Sequence, residues 1–140
     1  MAPQSLIYKL QRVQNASARL ISGTKKHEHI TPVLSSLHWL PVHLRVLFKV
    51  LLVTFKALYA GGPRYLCDLL IRHQSARVLR STSDPSLLHI PKSRLKTFGD
   101  KSFSVFAPIQ WNNLPLSIRT SSSVDSFKSA LKTHLFIHHF

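Results

Sequence analysis

The run Leu44-Arg45-Val46-Leu47-Phe48-Lys49-Val50-Leu51-Leu52-Val53-Thr54-Phe55-Lys56-Ala57-Leu58 constrains the fold most, because it is apolar around most of a helical circumference. Pro41 can open a helix there and Gly61-Gly62-Pro63 must end it, so one long helix over Val42–Tyr59 is expected. A membrane span is the reading to weigh against a core helix. With about 100° of turn per residue, Arg45, Lys49 and Lys56 fall within a ~40° sector, a narrow basic stripe on the cylinder. Each of these cations would cost about 2.5 kcal/mol or more near a bilayer centre. The run therefore reads as a central core helix whose stripe lies at the surface or against a ligand, with no membrane span.

Shorter helical patterns flank it. Residues 5–21 place Leu6, Leu10, Val13, Ala16 and Leu20 at spacings of three and four, the apolar stripe of an amphipathic helix, and Gly23 stops it. Thr31-Pro32 offers a capping hydroxyl and a helix-starting proline for a short helix to about Trp39, closed by Leu40-Pro41. Pro63 can start another through Tyr65, Leu66, Leu69, Leu70 and Ile71. From His73 to Pro91 the helical period is lost. Residues 77–80 and 86–90 read either as two short strands around Asp84-Pro85 or as extended chain. A short helix over residues 103–108 is expected to end near its proline, followed by a tight aromatic turn at Trp111-Asn112-Asn113-Leu114-Pro115. The Ser/Thr run at 120–123 caps a last amphipathic helix carrying Val124, Phe127, Leu131 and Leu135, with Lys128 and Lys132 on its polar side. The expectation is a mostly α, single small domain of Pro- and Gly-broken helices. A helical lobe at about 5–72 and a C-terminal lobe at about 102–140 flank an irregular basic segment at about 73–101, which can hold a short β-hairpin.

Charge bears on function. Nineteen Lys and Arg stand against five acids in 140 residues, a formal net charge of +14. Such an excess is usually offset by an external polyanion, nucleic acid first and an anionic membrane surface second. The acids Glu28, Asp68, Asp84, Asp100 and Asp125 lie at least sixteen positions apart, so local paired-carboxylate and two-metal motifs are missing. Four glycines supply neither a phosphate loop nor a dinucleotide fingerprint, and no Gly-x-Ser-x-Gly elbow occurs. No enzyme, cofactor or metal site is expected.

A single thiol, Cys67, excludes an intrachain disulfide, and the N-terminus lacks the apolar stretch of a signal peptide. The chain is therefore expected inside the cell, in nucleus or cytoplasm, and not secreted, where the sequon Asn15-Ala16-Ser17 would meet no glycosylation machinery. His134 and His138 share a helical face, and His27-Glu28-His29 lies elsewhere, but zinc would need their convergence with Cys67. His38 and His43 flank the Trp-Leu-Pro turn and read as hydrogen-bonded structural residues. Trp39, Phe48, Phe55, Phe103, Phe106, Trp111 and Phe127 read as core, whereas Tyr8, Tyr65 and Phe98, each near a base, are the candidates for stacking on nucleobases.

Several blocks together suggest a family: Leu10-Gln11-Arg12-Val13-Gln14-Asn15-Ala16-Ser17-Ala18-Arg19-Leu20-Ile21, Lys26-His27-Glu28-His29-Ile30-Thr31-Pro32-Val33-Leu34, Leu37-His38-Trp39-Leu40-Pro41-Val42, Phe48-Lys49-Val50-Leu51, Lys56-Ala57-Leu58, Pro63-Arg64-Tyr65-Leu66, Pro91-Lys92-Ser93-Arg94-Leu95-Lys96-Thr97, Gly99-Asp100-Lys101-Ser102-Phe103-Ser104, Ala107-Pro108-Ile109-Gln110-Trp111-Asn112-Asn113-Leu114-Pro115 and Phe127-Lys128-Ser129-Ala130-Leu131-Lys132-Thr133-His134-Leu135-Phe136. In this order they resemble the segment C-terminal to the reverse transcriptase in open reading frames of non-LTR, LINE-type retrotransposons, from about Leu6 to Phe136. The resemblance implies an accessory region that helps hold template RNA or target DNA, beside polymerase domains not contained in this chain. The aromatic-x-Asp-Asp motif of the polymerase palm does not occur here, since the chain has no Asp-Asp pair. With Met1 a few residues before the matching blocks, the chain reads as a translated fragment of a genomic element.

The leading expectation is a non-catalytic domain that binds RNA or DNA with little sequence preference. Its phosphate contacts are expected from Arg12, Arg19, Lys25, Lys26, Arg45, Lys49, Lys56, Lys92, Arg94, Lys96 and Lys101. The alternatives are an inert remnant of a transposable element, or a peripheral membrane or partner-helix module built on the amphipathic ends and the long helix.

Overall fold

The computed structural model describes residues 3–73, 85–92 and 99–140. Among them the chain is mostly helical, with seven helices: α1 (Gln4–Ser22), α2 (Thr31–Ser36), α3 (Val42–Tyr59), α4 (Arg64–Cys67), α5 (Phe103–Asn112), α6 (Leu116–Arg119) and α7 (Val124–Ile137). The contacts group into two compact units, one within Lys49–Leu131 and one from residues 3–48 with Lys132–Phe140, so α3 and α7 each contribute to both.

In the first unit the core is aromatic. Phe55 of α3, Trp111 of α5 and Phe127 of α7 are all buried, with ring centroids 4.3 Å apart for Phe55 and Phe127 and 5.9 Å for Trp111 and Phe127. Leu51, Leu52, Leu70, Leu88, Val105, Ala107, Leu114, Ile118 and Leu131 are buried in the same unit. The break after α3 is a close backbone approach. Gly61 sits at φ +66°, and a Cβ on Gly62 would lie 2.9 Å from both the nitrogen and the Cα of Ala57. Gly62 N–H bonds the Lys56 carbonyl at 3.0 Å, and the Cys67 thiol donates to the Ala57 carbonyl at 3.2 Å.

Pro108 lies inside α5 rather than at its end, so the helix expected to stop near that proline runs on to Asn112. The proline forgoes the hydrogen bond its nitrogen would give the Ser104 carbonyl, but its ring is fully buried beside Ala107 and Trp111, and that burial offsets the loss. Trp111 is therefore a helical core residue, and the turn begins at Asn113. The start of α7 follows expectation: Ser123 Oγ accepts from Ser126 N–H at 3.1 Å.

Leu87 and His89 pair antiparallel with residues 71–73, through His73 N–H to Leu87 O at 2.9 Å and His89 N–H to Ile71 O at 2.8 Å. Residues 77–80, the other expected strand, lie outside the described residues. On the side of Leu88 away from this pairing, Asn112 takes the place of a neighbouring strand: its Oδ1 accepts from Leu88 N–H at 2.9 Å and its Nδ2 donates to Leu88 O at 2.8 Å. Trp111 Nε1–H donates to Ser86 O at 2.8 Å, and the buried Arg119 donates to Ser86 Oγ at 3.0 Å and to Leu114 O at 3.1 Å.

In the second unit α1 packs against α2, and the face of α1 that is buried differs from the stripe expected to be. Ile7, Gln14 and Ala18 are buried, whereas Leu6, Leu10, Val13, Ala16 and Leu20 are exposed. The reason is polar. Gln14 Nε2 donates to Leu40 O at 2.9 Å and Gln11 Oε1 accepts from Val42 N–H at 2.8 Å, which satisfies backbone groups of the Leu40-Pro41-Val42 turn. These two glutamines orient α1 by hydrogen bonds that its most apolar side could not make. α2 ends at Ser36 instead of Trp39 because His38 adopts φ +54° and Trp39 N–H turns back to Leu34 O at 2.9 Å. Thr31 is the first residue of the helix, and no side chain caps it.

Candidate nucleic-acid interface

The expected phosphate contacts fall on three kinds of element. Arg12 stands exposed on α1, and Lys25 and Lys26 stand exposed in the turn after Gly23. Arg19, half-buried near the end of α1, folds its guanidinium over that turn, donating to the Lys25 carbonyl and, at 2.7 Å, to the Glu28 carbonyl. Two of its five donors are thereby engaged in holding the turn that presents Lys25 and Lys26. Arg19, Lys25 and Lys26 are thus brought together, with Arg19 as their brace.

Arg45, Lys49 and Lys56 are all exposed on α3, as the helical spacing requires. Leu52, about 20° outside that sector and between Lys49 and Lys56 along the helix, is buried, so the stripe is flanked by a covered residue midway and open at each lysine. The helix is also less enclosed than expected. Its buried residues are Leu51, Leu52, Thr54 and Phe55, all in the later half, while residues 42, 44 and 46–48 are half-buried. Lys92 and Lys101 are exposed on the irregular stretches flanking residues 93–98, and Arg94 and Lys96 lie outside the described residues.

Of the stacking candidates, Tyr8 and Tyr65 are exposed and Phe98 lies outside the described residues. Of the expected core aromatics, Phe55, Trp111 and Phe127 are buried, while Trp39, Phe48, Phe103 and Phe106 are half-buried.

Other basic groups have structural posts that the sequence did not signal. The Arg72 guanidinium lies 5.3 Å from the Tyr59 ring centroid, and Lys128 pairs with Asp125 at 3.0 Å. Arg119 is buried, and its bonds to Ser86 and Leu114 tie α6 to the 85–88 stretch.

Histidines gather in the second unit as ring contacts. His38 stacks on Phe136 at 5.7 Å, His43 meets His139 edge-on at 5.5 Å, and His134 meets His138 at 4.4 Å. Burial, then the neighbouring His139, holds His43 below its ordinary pKa of 6.5, and burial, then His138, does the same to His134. Among the described residues, no three His, Cys, Asp or Glu side chains stand close enough to hold a metal ion. No helix among them is long and apolar enough to cross a membrane.

No protein-family model, curated protein or solved structure matches the chain.

Proposed function

We propose that this chain is a non-catalytic, basic helical module that binds RNA or DNA through the phosphate backbone. One observation carries the reading: Arg12, Lys25, Lys26, Arg45, Lys49, Lys56, Lys92 and Lys101 all reach solvent, while the whole chain holds five acids for nineteen bases. One-to-one pairing leaves fourteen cations over, and a compact fold carrying that excess is stabilised by an external polyanion. These exposed bases come from α1, α3, turns and irregular stretches and are not confined to one helix. Contacts of this type position a strand without specifying its sequence. The likeness to the segment following the reverse transcriptase of LINE-type retrotransposons supports the same role, holding a template or target while chemistry is done elsewhere.

Lys49 and Lys56 lie seven residues apart on α3, about 10 Å along the axis, a reach of about three nucleotides at 3.4 Å each. Fluorescence anisotropy with labelled single-stranded RNA and duplex DNA across a salt series tests the proposal. Unrelated sequences are expected to bind alike, with affinity falling steeply as salt rises. Affinity that is insensitive to salt, or no binding at low salt, would refute it.

A further inference from the structure

The exposed side of α1 is the most apolar surface on that helix. Taken at about 100° per residue, Leu20, Val13, Leu6, Ser17, Leu10 and Ile21 follow one another around a sector of ~100°. The aliphatic members are open to solvent: Leu6 by 47%, Leu10 by 48%, Val13 by 64%, Ile21 by 62% and Leu20 by 86%. From residue 6 to residue 21 this band runs about 22 Å along the helix. Packing of α1 within its unit uses the neighbouring sector of Ile7, Gln14 and Ala18, so the band is left over by the fold.

Two further observations define what fits it. The one polar side chain inside the band, Ser17, donates its hydroxyl to the Val13 carbonyl at 3.1 Å, so the band presents no hydroxyl donor that needs water. Its free edge is cationic. Lys9 borders it on the side away from the packed face, Arg12 lies farther round on that side beyond Ala16, Lys25 and Lys26 follow the helix end, and α1 contains no acid.

The occupant must therefore be apolar, indifferent to hydrogen-bond register and negatively charged. A second copy of this chain would bring the same cations against these, and a nucleic acid strand has no aliphatic phase to offer Leu, Val and Ile. We infer that α1 is an interfacial anchor for an anionic lipid surface, lying in the membrane plane with its aliphatic band among the acyl chains and Lys9 and Arg12 at the headgroups. The anchor shares Arg12, Lys25 and Lys26 with the proposed phosphate contacts, and its aliphatic band is the part that a nucleic acid would not use.

The test is co-sedimentation of the full chain with phosphatidylcholine vesicles, with and without phosphatidylserine, in moderate and high salt. The wild-type chain is expected to partition at least about tenfold more strongly to the phosphatidylserine vesicles. V13S/L20S, which changes two exposed positions and no charge, is expected to lose about tenfold or more of that binding. Its melting temperature and its RNA affinity should stay as in the wild type, which separates the lipid anchor from the phosphate contacts. K9S/R12S should weaken binding to the charged vesicles and leave the weak binding to neutral ones unchanged. Equal binding of V13S/L20S and wild type would overturn the inference by showing attraction through net charge alone. Equal binding to neutral and charged vesicles, or none to either, would overturn it too. A wild-type dimer that V13S/L20S converts to monomer would assign the band to a second copy instead.

Discussion

Substituting Asn112 by alanine removes one side-chain amide and leaves two backbone groups of Leu88 without their partners. Leu88 is buried, and Asn112 Oδ1 and Nδ2 meet its N–H and C=O at 2.9 and 2.8 Å. A net loss of about 1–1.5 kcal/mol for each bond, with the Leu88 groups poorly reached by water, gives about 2–3 kcal/mol in all. Unfolding entropy of about 2.1 cal/mol/K per residue makes roughly 0.3 kcal/mol/K for this chain, so melting should fall by about 7–10 °C. Thermal unfolding followed by circular dichroism reads that shift, and amide exchange at Leu88 should accelerate in parallel. Asn112→Asp keeps the acceptor but sets a carboxylate against the Leu88 carbonyl, so at neutral pH it should be no more stable than the alanine variant. A melting shift below about 2 °C for Asn112→Ala would show that the amide does not stand in for a strand, and the reasoning would fail.

Other outcomes follow from the same geometry. Gly62→Ala should cost about 1–3 kcal/mol, because the new Cβ meets Ala57 backbone atoms at 2.9 Å that cannot rotate away, and chemical denaturation measures it. Gly61→Ala, at φ +66° in open space, should cost about 1 kcal/mol through backbone strain alone. His43 and His134 are held below 6.5 when folded, so the unfolded chain takes up protons first. Their contribution is whole above pH 6.5 and falls as pH drops from there toward their folded values. Melting temperature should thus decline on acidification below that point, and H43Q/H134Q should decline less. Lys49→Ala with Lys56→Ala should flatten the salt dependence of RNA affinity by about one to two in log–log slope and leave stability within about 0.5 kcal/mol of the wild type.

The extent of the helices was legible where the punctuation was covalent or capping chemistry. Pro41 and Gly61-Gly62-Pro63 bound α3, Gly23 at φ +69° ends α1, and the Ser123 hydroxyl opens α7. The orientation of α1 was not legible. Periodicity marks the most apolar sector, but the fold buried the sector holding Gln14 and flanked by Gln11, whose partners at Leu40 and Val42 lie 26 and 31 residues away. Pro108 misled for a related reason, since its local cost is visible in sequence and the burial that offsets it is not. For the candidate interface, a count of charges found the bases. It could not show that Arg19 turns inward to two carbonyls, that Leu52 is covered between two open lysines, or that Arg119 is a buried brace.

The central claim is that exposed bases hold a nucleic acid backbone, and the salt dependence of binding tests it most directly. With about four phosphates neutralised on single-stranded RNA, the log–log slope should be near −2.8, so affinity should fall about 50-fold between 50 and 200 mM salt. RNAs of unrelated sequence should share that slope. A slope near zero, or no complex at 50 mM salt, would contradict the account.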